Sequence, residues 1–235
     1  MDSQTRRALK EDKFVLATQN SASWVEENRP AVIRWSIVAI VVLLIAVAAI
    51  VVYTQRASAA DSALGAAEDL YGTPLAQAGQ PAQKNSYASA TERAKAANAQ
   101  FVQVASQYGW LPAGAKAHYF AGLTYKELGQ NASAESQLKD ATGAWDSNLS
   151  SLAKFALAGF YHQTGKDAQA IDLYNALIAK PTASVPLYTS ELALADLYAS
   201  ARKQDQAKAL WAKVKDADKT GSAGSIAAEK LLAKK

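Results

Sequence analysis

The chain has 235 residues, half of them hydrophobic, with 25 Lys and Arg against 21 Asp and Glu and no cysteine. The absence of cysteine excludes disulfides and thiolate metal sites and suits an oxidising compartment. After Arg56 the charges are almost balanced, 18 basic against 16 acidic and evenly spread, which excludes the clustered basic face of a nucleic-acid-binding protein.

The first 34 residues form a polar lead with Arg6, Arg7, Lys10, Lys13, Arg29 and Arg34. Its basic residues, with Leu9, Phe14 and Leu16, allow either a short interfacial helix or a solvated tail. Residues 35–53 read WSIVAIVVLLIAVAAIVVY, without charge, proline or glycine. A helix of that length covers about 28 Å, close to the hydrocarbon thickness of a bilayer, so a single transmembrane helix is expected. Trp35 and Tyr53 bracket it as interfacial aromatics, and the basic excess ahead of it predicts a cytoplasmic amino end with the remaining chain outside. Ala57-Ser58-Ala59 has the pattern of a signal-peptidase site, but the apolar run is longer than a secretory core and is separated from the site by Thr54-Gln55-Arg56.

Residues 57–72 place Ala60, Ala63, Leu64, Ala67, Leu70 and Tyr71 on one helical face, and Gly72-Thr73-Pro74 ends the pattern. A loop rich in Gln, Ala, Gly and Pro is expected up to Ser86, followed by a helix over 87–108 that stops at Gly109 and Pro112.

Beyond Gly114 an internal period appears. Tyr125, Tyr161 and Tyr198 lie 36 and 37 residues apart, each with a small residue three positions earlier, at Gly122, Ala158 and Ala195. Nine residues after each tyrosine comes alanine (Ala134, Ala170, Ala207), then a bulky side chain (Leu138, Tyr174, Trp211), then Ala141, Leu177 and Val214. Glycine follows two of the tyrosines by four, at Gly129 and Gly165, and Arg202 replaces it in the third. Such spacing predicts pairs of antiparallel helices: a small residue permits close approach, the aromatic fills the seam, and glycine supplies the positive φ that ends the first helix. Hairpins of this kind bury their second faces only by stacking.

The segments AGLTYKELGQNASAESQLKDA (121–141), LAGFYHQTGKDAQAIDLYNAL (157–177) and LADLYASARKQDQAKALWAKV (194–214) resemble tetratricopeptide repeats. The expected fold is therefore all-α: an N-terminal transmembrane helix, then a solenoid over 57–235. Its repeats fall at about 114–146, 151–182 and 188–216, after a divergent first repeat over 57–112 in which Ala97, Phe101 and Val104 match the second-helix positions. A capping helix is expected over 225–232.

That resemblance implies a concave groove lined from the first helix of each pair: Lys116, Tyr119, Leu123 and Lys126, then Phe155, His162 and Gln163, then Thr189, Leu192 and Asp196. It implies protein partners, an amphipathic helix or an unfolded apolar segment being the natural ligand of such a surface. Tyr119 and Phe155 stand where the family's carboxylate clamp wants a polar or basic residue, which argues against recognition of that kind. The layout of lead, anchor and repeat domain also resembles the YfgM-like ancillary subunits of the SecYEG translocon. It implies a bacterial inner-membrane helper with a periplasmic domain that meets translocon subunits, periplasmic chaperones or nascent secretory chains. A self-associating envelope scaffold is the other reading of the same pattern.

Enzymatic chemistry finds little support in the sequence. His118 and His162 occupy different positions of successive repeats, with no acidic or thiol partner at ligand spacing. His118 falls at a first-helix packing position. No phosphate-binding glycine loop or nucleophile elbow is present, and no catalytic residue, metal or cofactor is implied.

Overall fold

The computed structural model describes residues 28–76 and 86–233; among them are nine helices and one isolated bridge, Leu75 to Tyr87. The lead up to residue 27 and most of the expected loop lie outside the described residues. Two compact units are present, Met1–Gln55 and Arg56–Lys235.

Helix α1 runs unbroken over Arg29–Gly72. Its most apolar window has mean hydropathy 3.1 and none of it is buried, so α1 is long and apolar enough to cross a membrane. Within the second unit, the last part of α1 buries Ala60, Leu64 and Ala67, with Ala63, Leu70 and Tyr71 half-buried beside them. These six positions are the face read from the spacing. They pack with Ala97, Phe101 and Val104 of α2 (Ala90–Tyr108) and with Ala117 and Ala121 of α3 (Pro112–Glu127). Tyr71 and Phe101 meet edge to face, Phe101 and Phe120 stack at 5.1 Å, and the Tyr71 hydroxyl donates to Glu127 of α3.

The second helix begins three residues later than its apolar pattern suggests. Ser89 caps it, its hydroxyl oxygen accepting from the Glu92 N–H at 3.1 Å, while Tyr87 is held in the bridge with Leu75. Next come α4 (Asn131–Thr142), α5 (Ser147–Gln163), α6 (Asp167–Ala179), α7 (Leu187–Ser200), α8 (Gln204–Ala217) and α9 (Ser222–Ala233). The last of these starts ahead of the expected Ser225 because Asp218 Oδ2 accepts from the Gly224 N–H at 2.9 Å.

The three hairpins α3/α4, α5/α6 and α7/α8 close with one backbone device. The amides of Gln130, Lys166 and Lys203 donate to the carbonyls of Tyr125, Tyr161 and Tyr198 at 2.8 to 2.9 Å, and the residue just before each has positive φ: Gly129 at 71°, Gly165 at 76° and Arg202 at 59°. This is the Schellman closure, and the third copy makes it with arginine. Behind each turn Ala134, Ala170 and Ala207 are fully buried, as are Leu138 and Trp211, while Tyr174 is nearly so. Gly122 earns its place in the first hairpin: a Cβ there would lie 2.6 Å from Leu138 Cγ and 3.1 Å from the Leu138 amide nitrogen.

Candidate functional site

The ten groove positions fall into two groups. Lys116, Tyr119, Leu123 and Lys126 lie on α3, and Phe155 lies on α5. Tyr119, Leu123 and Phe155 are half-buried and pack against one hydrophobic cluster centred on α4 to α7. Tyr119 meets Phe120 edge-on at 5.3 Å, and Phe155 meets Tyr174 likewise at 5.6 Å. Burial pushes the Tyr119 and Tyr174 phenols above their ordinary value, so both rings stay neutral; half-buried Tyr119 offers amphipathic surface, while buried Tyr174 backs Phe155. Lys116, Gln163 and Thr189 are exposed and Lys126 is half-buried.

The other group is engaged inside the molecule. Leu192 packs in the cluster that includes Ala223, Ala227 and Leu231 of α9. Asp196 accepts from Lys230 Nζ of α9 at 2.8 and 2.9 Å, so the terminal helix engages the third copy's face.

His162 is engaged most closely. Its Nδ1 lies 2.7 Å from Asp167 Oδ1 and its Nε2 3.0 Å from Ser200 Oγ. The ring thus bridges a carboxylate and a hydroxyl, one at each nitrogen. Histidine partners expected to be missing are thus present, because the acids come from the following helix. His118 likewise has Nδ1 2.7 Å from Gln137 Oε1 and 3.9 Å from Asp140 Oδ2.

The order Asp167, His162, Ser200 is that of a nucleophilic triad. Acyl transfer also needs donors aimed at the developing oxyanion. The amides that follow Ser200 are committed elsewhere, Ala201 to the Leu197 carbonyl, Arg202 to Ala199 and Lys203 to Tyr198, and the Ser200 hydroxyl also lies 2.8 Å from the Leu197 carbonyl. The arrangement ties α5 and the start of α6 to the end of α7. Among the described residues no group of three or more His, Asp or Glu is placed to hold a metal.

Two further features had no signal in the residue patterns alone. Trp110 and Trp145 occupy successive turns between hairpins, 35 residues apart, and are 63% and 103% exposed. Glu191 of α7 is fully buried, its Oε1 accepting from Lys213 Nζ of α8 at 2.6 Å while Oε2 has no hydrogen-bond partner among the described residues. Glu191 and Lys213 stand in the register of His118 and Asp140, so one cross-helix polar pairing recurs with different residues.

No family model matches this sequence. No curated protein matches it either. Among solved structures, the chain is similar to a Podosopora anserina protein described as a kinesin light chain with nearly identical TPR-like repeats. The two are 17% identical, with a TM-score of 0.54, over 74% of this chain and 84% of the other. At that identity the likeness shows the fold: an all-α solenoid of tetratricopeptide type after one long apolar N-terminal helix.

Proposed function

We propose that this chain is a non-enzymatic protein-binding module held in the membrane by residues 35–53, with its repeats outside the cytoplasm. The observation that carries the reading is the half-buried strip of Tyr119, Leu123 and Phe155 on the first helices of adjacent hairpins. Such a strip offers aromatic and aliphatic contact to an extended or helical apolar segment, and the flanking Lys116 and Lys126 bring charge to its edge. Residues 57–112 serve as a first repeat and 225–232 belong to the cap.

The finer reading joins this surface to secretion: a bacterial inner-membrane helper of the YfgM-like kind, amino end cytoplasmic, whose periplasmic repeats meet translocon subunits, periplasmic chaperones or nascent secretory chains. The layout of lead, apolar helix and repeats supports it. Photo-crosslinkers placed at Leu123, Phe155 and Gln163 in membranes should capture secretory chains or translocon subunits. Recovery of this protein's own copies alone would favour a self-associating scaffold and overturn the reading. A phosphatase reporter fused after Lys235 should be active, and an inactive but stable fusion would reverse the topology.

A further inference from the structure

The cross-helix polar pairing described above fails in the middle hairpin. Position 118 faces Asp140 and position 191 faces Lys213, but the equivalent of those partners opposite Lys154 is Ala176. A cleft of about 390 Å³ opens there, between the start of α5, the end of α6 and the segment that follows it.

Its polar wall comes from α5 and the loop. Lys154 and Lys180 line it, and neither ammonium has a hydrogen-bond or ion-pair partner among the described residues. Ser151 lines it too, only 6% exposed and with no hydrogen-bond partner among the described residues. Ser150 is spent, since its hydroxyl donates to the Thr142 carbonyl at 2.6 Å. Thr182 Oγ1 accepts from the Val185 N–H at 3.2 Å and keeps its own proton free to donate. Ala176, Leu177 and Ala179 form the apolar wall.

The walls are fixed. Ser184 N–H reaches Asn148 Oδ1 at 3.4 Å and joins the loop to the first turn of α5, while Thr182 N–H donates to the Val185 carbonyl at 3.1 Å within the loop. No lining residue is acidic, and Asp146, which caps α5, has its Oδ1 occupied by the Asn148 N–H at 2.8 Å. The positive end of the α5 dipole and the negative end of α6 oppose one another, so the two ammonium groups set the sign of the cleft.

We propose that this cleft binds a small organic oxyanion, a carboxylate or phosphate on a short aliphatic group, held by Lys154, Lys180 and the Ser151 hydroxyl. The charge-assisted bonds supply the affinity, and the apolar wall accepts the aliphatic part. None of the ten groove positions lines the cleft, so the inference stands apart from the protein-binding reading.

The test is lysine protection in the full chain in a nonionic detergent. Brief acetylation is read site by site by mass spectrometry, with butyrate, butyl phosphate or inorganic phosphate added against sodium chloride of equal ionic strength. Labelling of Lys154 and Lys180 should fall at least threefold with one of the two butyl anions, while the exposed Lys95 and Lys208 stay unchanged. Butyrate and butyl phosphate separate carboxylate from phosphate, and inorganic phosphate shows what the aliphatic part adds. Ser151→Ala should raise the required concentration about tenfold, the worth of one hydrogen bond to a charged group. Ala176→Asp restores the missing counter-charge and should abolish protection in a chain that folds normally by circular dichroism. Protection equal to that of sodium chloride, or protection that survives Ala176→Asp, overturns the proposal.

Discussion

In the α3/α4 hairpin Gly122 lies against Leu138 and Gly129 closes the turn, whereas in α7/α8 Ala195 packs in one cluster with Trp211 and Arg202 takes the glycine's place. The backbone closure is the same in both. Volume changes on both sides of the seam together, the smaller Gly122 facing Leu138 and the larger Ala195 facing Trp211. The third hairpin also carries a fully buried carboxylate, Glu191, where the first has a half-buried His118. A repeat thus preserves its register through the backbone closure and leaves residue identity and seam volume free.

The largest expected effect tests the buried charge. Lys213→Ala leaves Glu191 without its one hydrogen-bond partner among the described residues and should destabilise by about 2 to 3 kcal/mol, because a buried carboxylate then stands unpaired. The counterpart in the first hairpin, Asp140→Ala, removes a 3.9 Å contact from an exposed carboxylate and should cost less than about 0.5 kcal/mol. Urea denaturation of both variants followed by tryptophan fluorescence checks the contrast, and equal losses would refute it. Next comes Gly122→Ala. The new Cβ would overlap Leu138, costing about 2 kcal/mol, of which about 1 returns as helix propensity, and Leu138→Val in the same chain should recover part of the remainder.

A junction between copies responds to pH. Glu135 of α4 accepts from Lys139 at 2.6 Å, from Lys166 at 2.5 Å and from the Tyr161 hydroxyl at 3.2 Å. The two lysine contacts, with the tyrosine behind them, lower its carboxyl from 4.5 to about 2. A lowered folded-state value means stability that is complete above pH 4.5 and lost as the pH falls toward 2. Both lysines are well exposed, so solvent screening limits the effect to about 1 kcal/mol. Unfolding of wild type and Glu135→Gln compared at pH 6 and pH 3 should show the difference shrink at the lower pH.

Helix pairing was legible because its signal is periodic: one tyrosine, one small residue and one alanine per copy fix which faces meet. The face at Ala60, Leu64 and Ala67 was legible for the same reason. Helix starts were less so. Ser89 and Asp218 override the apolar pattern through single side-chain caps, and only the Ser89-to-Glu92 spacing carried a local hint. The site was legible as a set of first-helix positions, but Asp196 and His162 found partners that no spacing along their own helix foretells. Lys230 reaches Asp196 from 34 positions away, and Ser200 reaches His162 from 38. The cleft at Lys154 is a difference between copies, visible once Ala176 is set beside Asp140 and Lys213 in three dimensions.

The smallest effect concerns the turn. Arg202 holds φ at 59°, where a Cβ crowds the following carbonyl at a cost of about 1 to 2 kcal/mol. Arg202→Gly removes that strain, but it also loosens the unfolded chain, which returns about 0.5 to 1 kcal/mol of the gain. The net expectation is a stabilisation of about 0.5 kcal/mol with the closure intact, since the Lys203 N–H to Tyr198 carbonyl bond involves no Arg202 side-chain atom. Gly165→Ala, the opposite change in the second hairpin, should lose about 1 kcal/mol although no atom lies within 4 Å of the new Cβ. Paired denaturation curves decide the matter. Opposite signs mean that backbone conformation alone ranks the turns, whereas a loss in Arg202→Gly would mean that the arginine side chain makes a contact worth more than the strain.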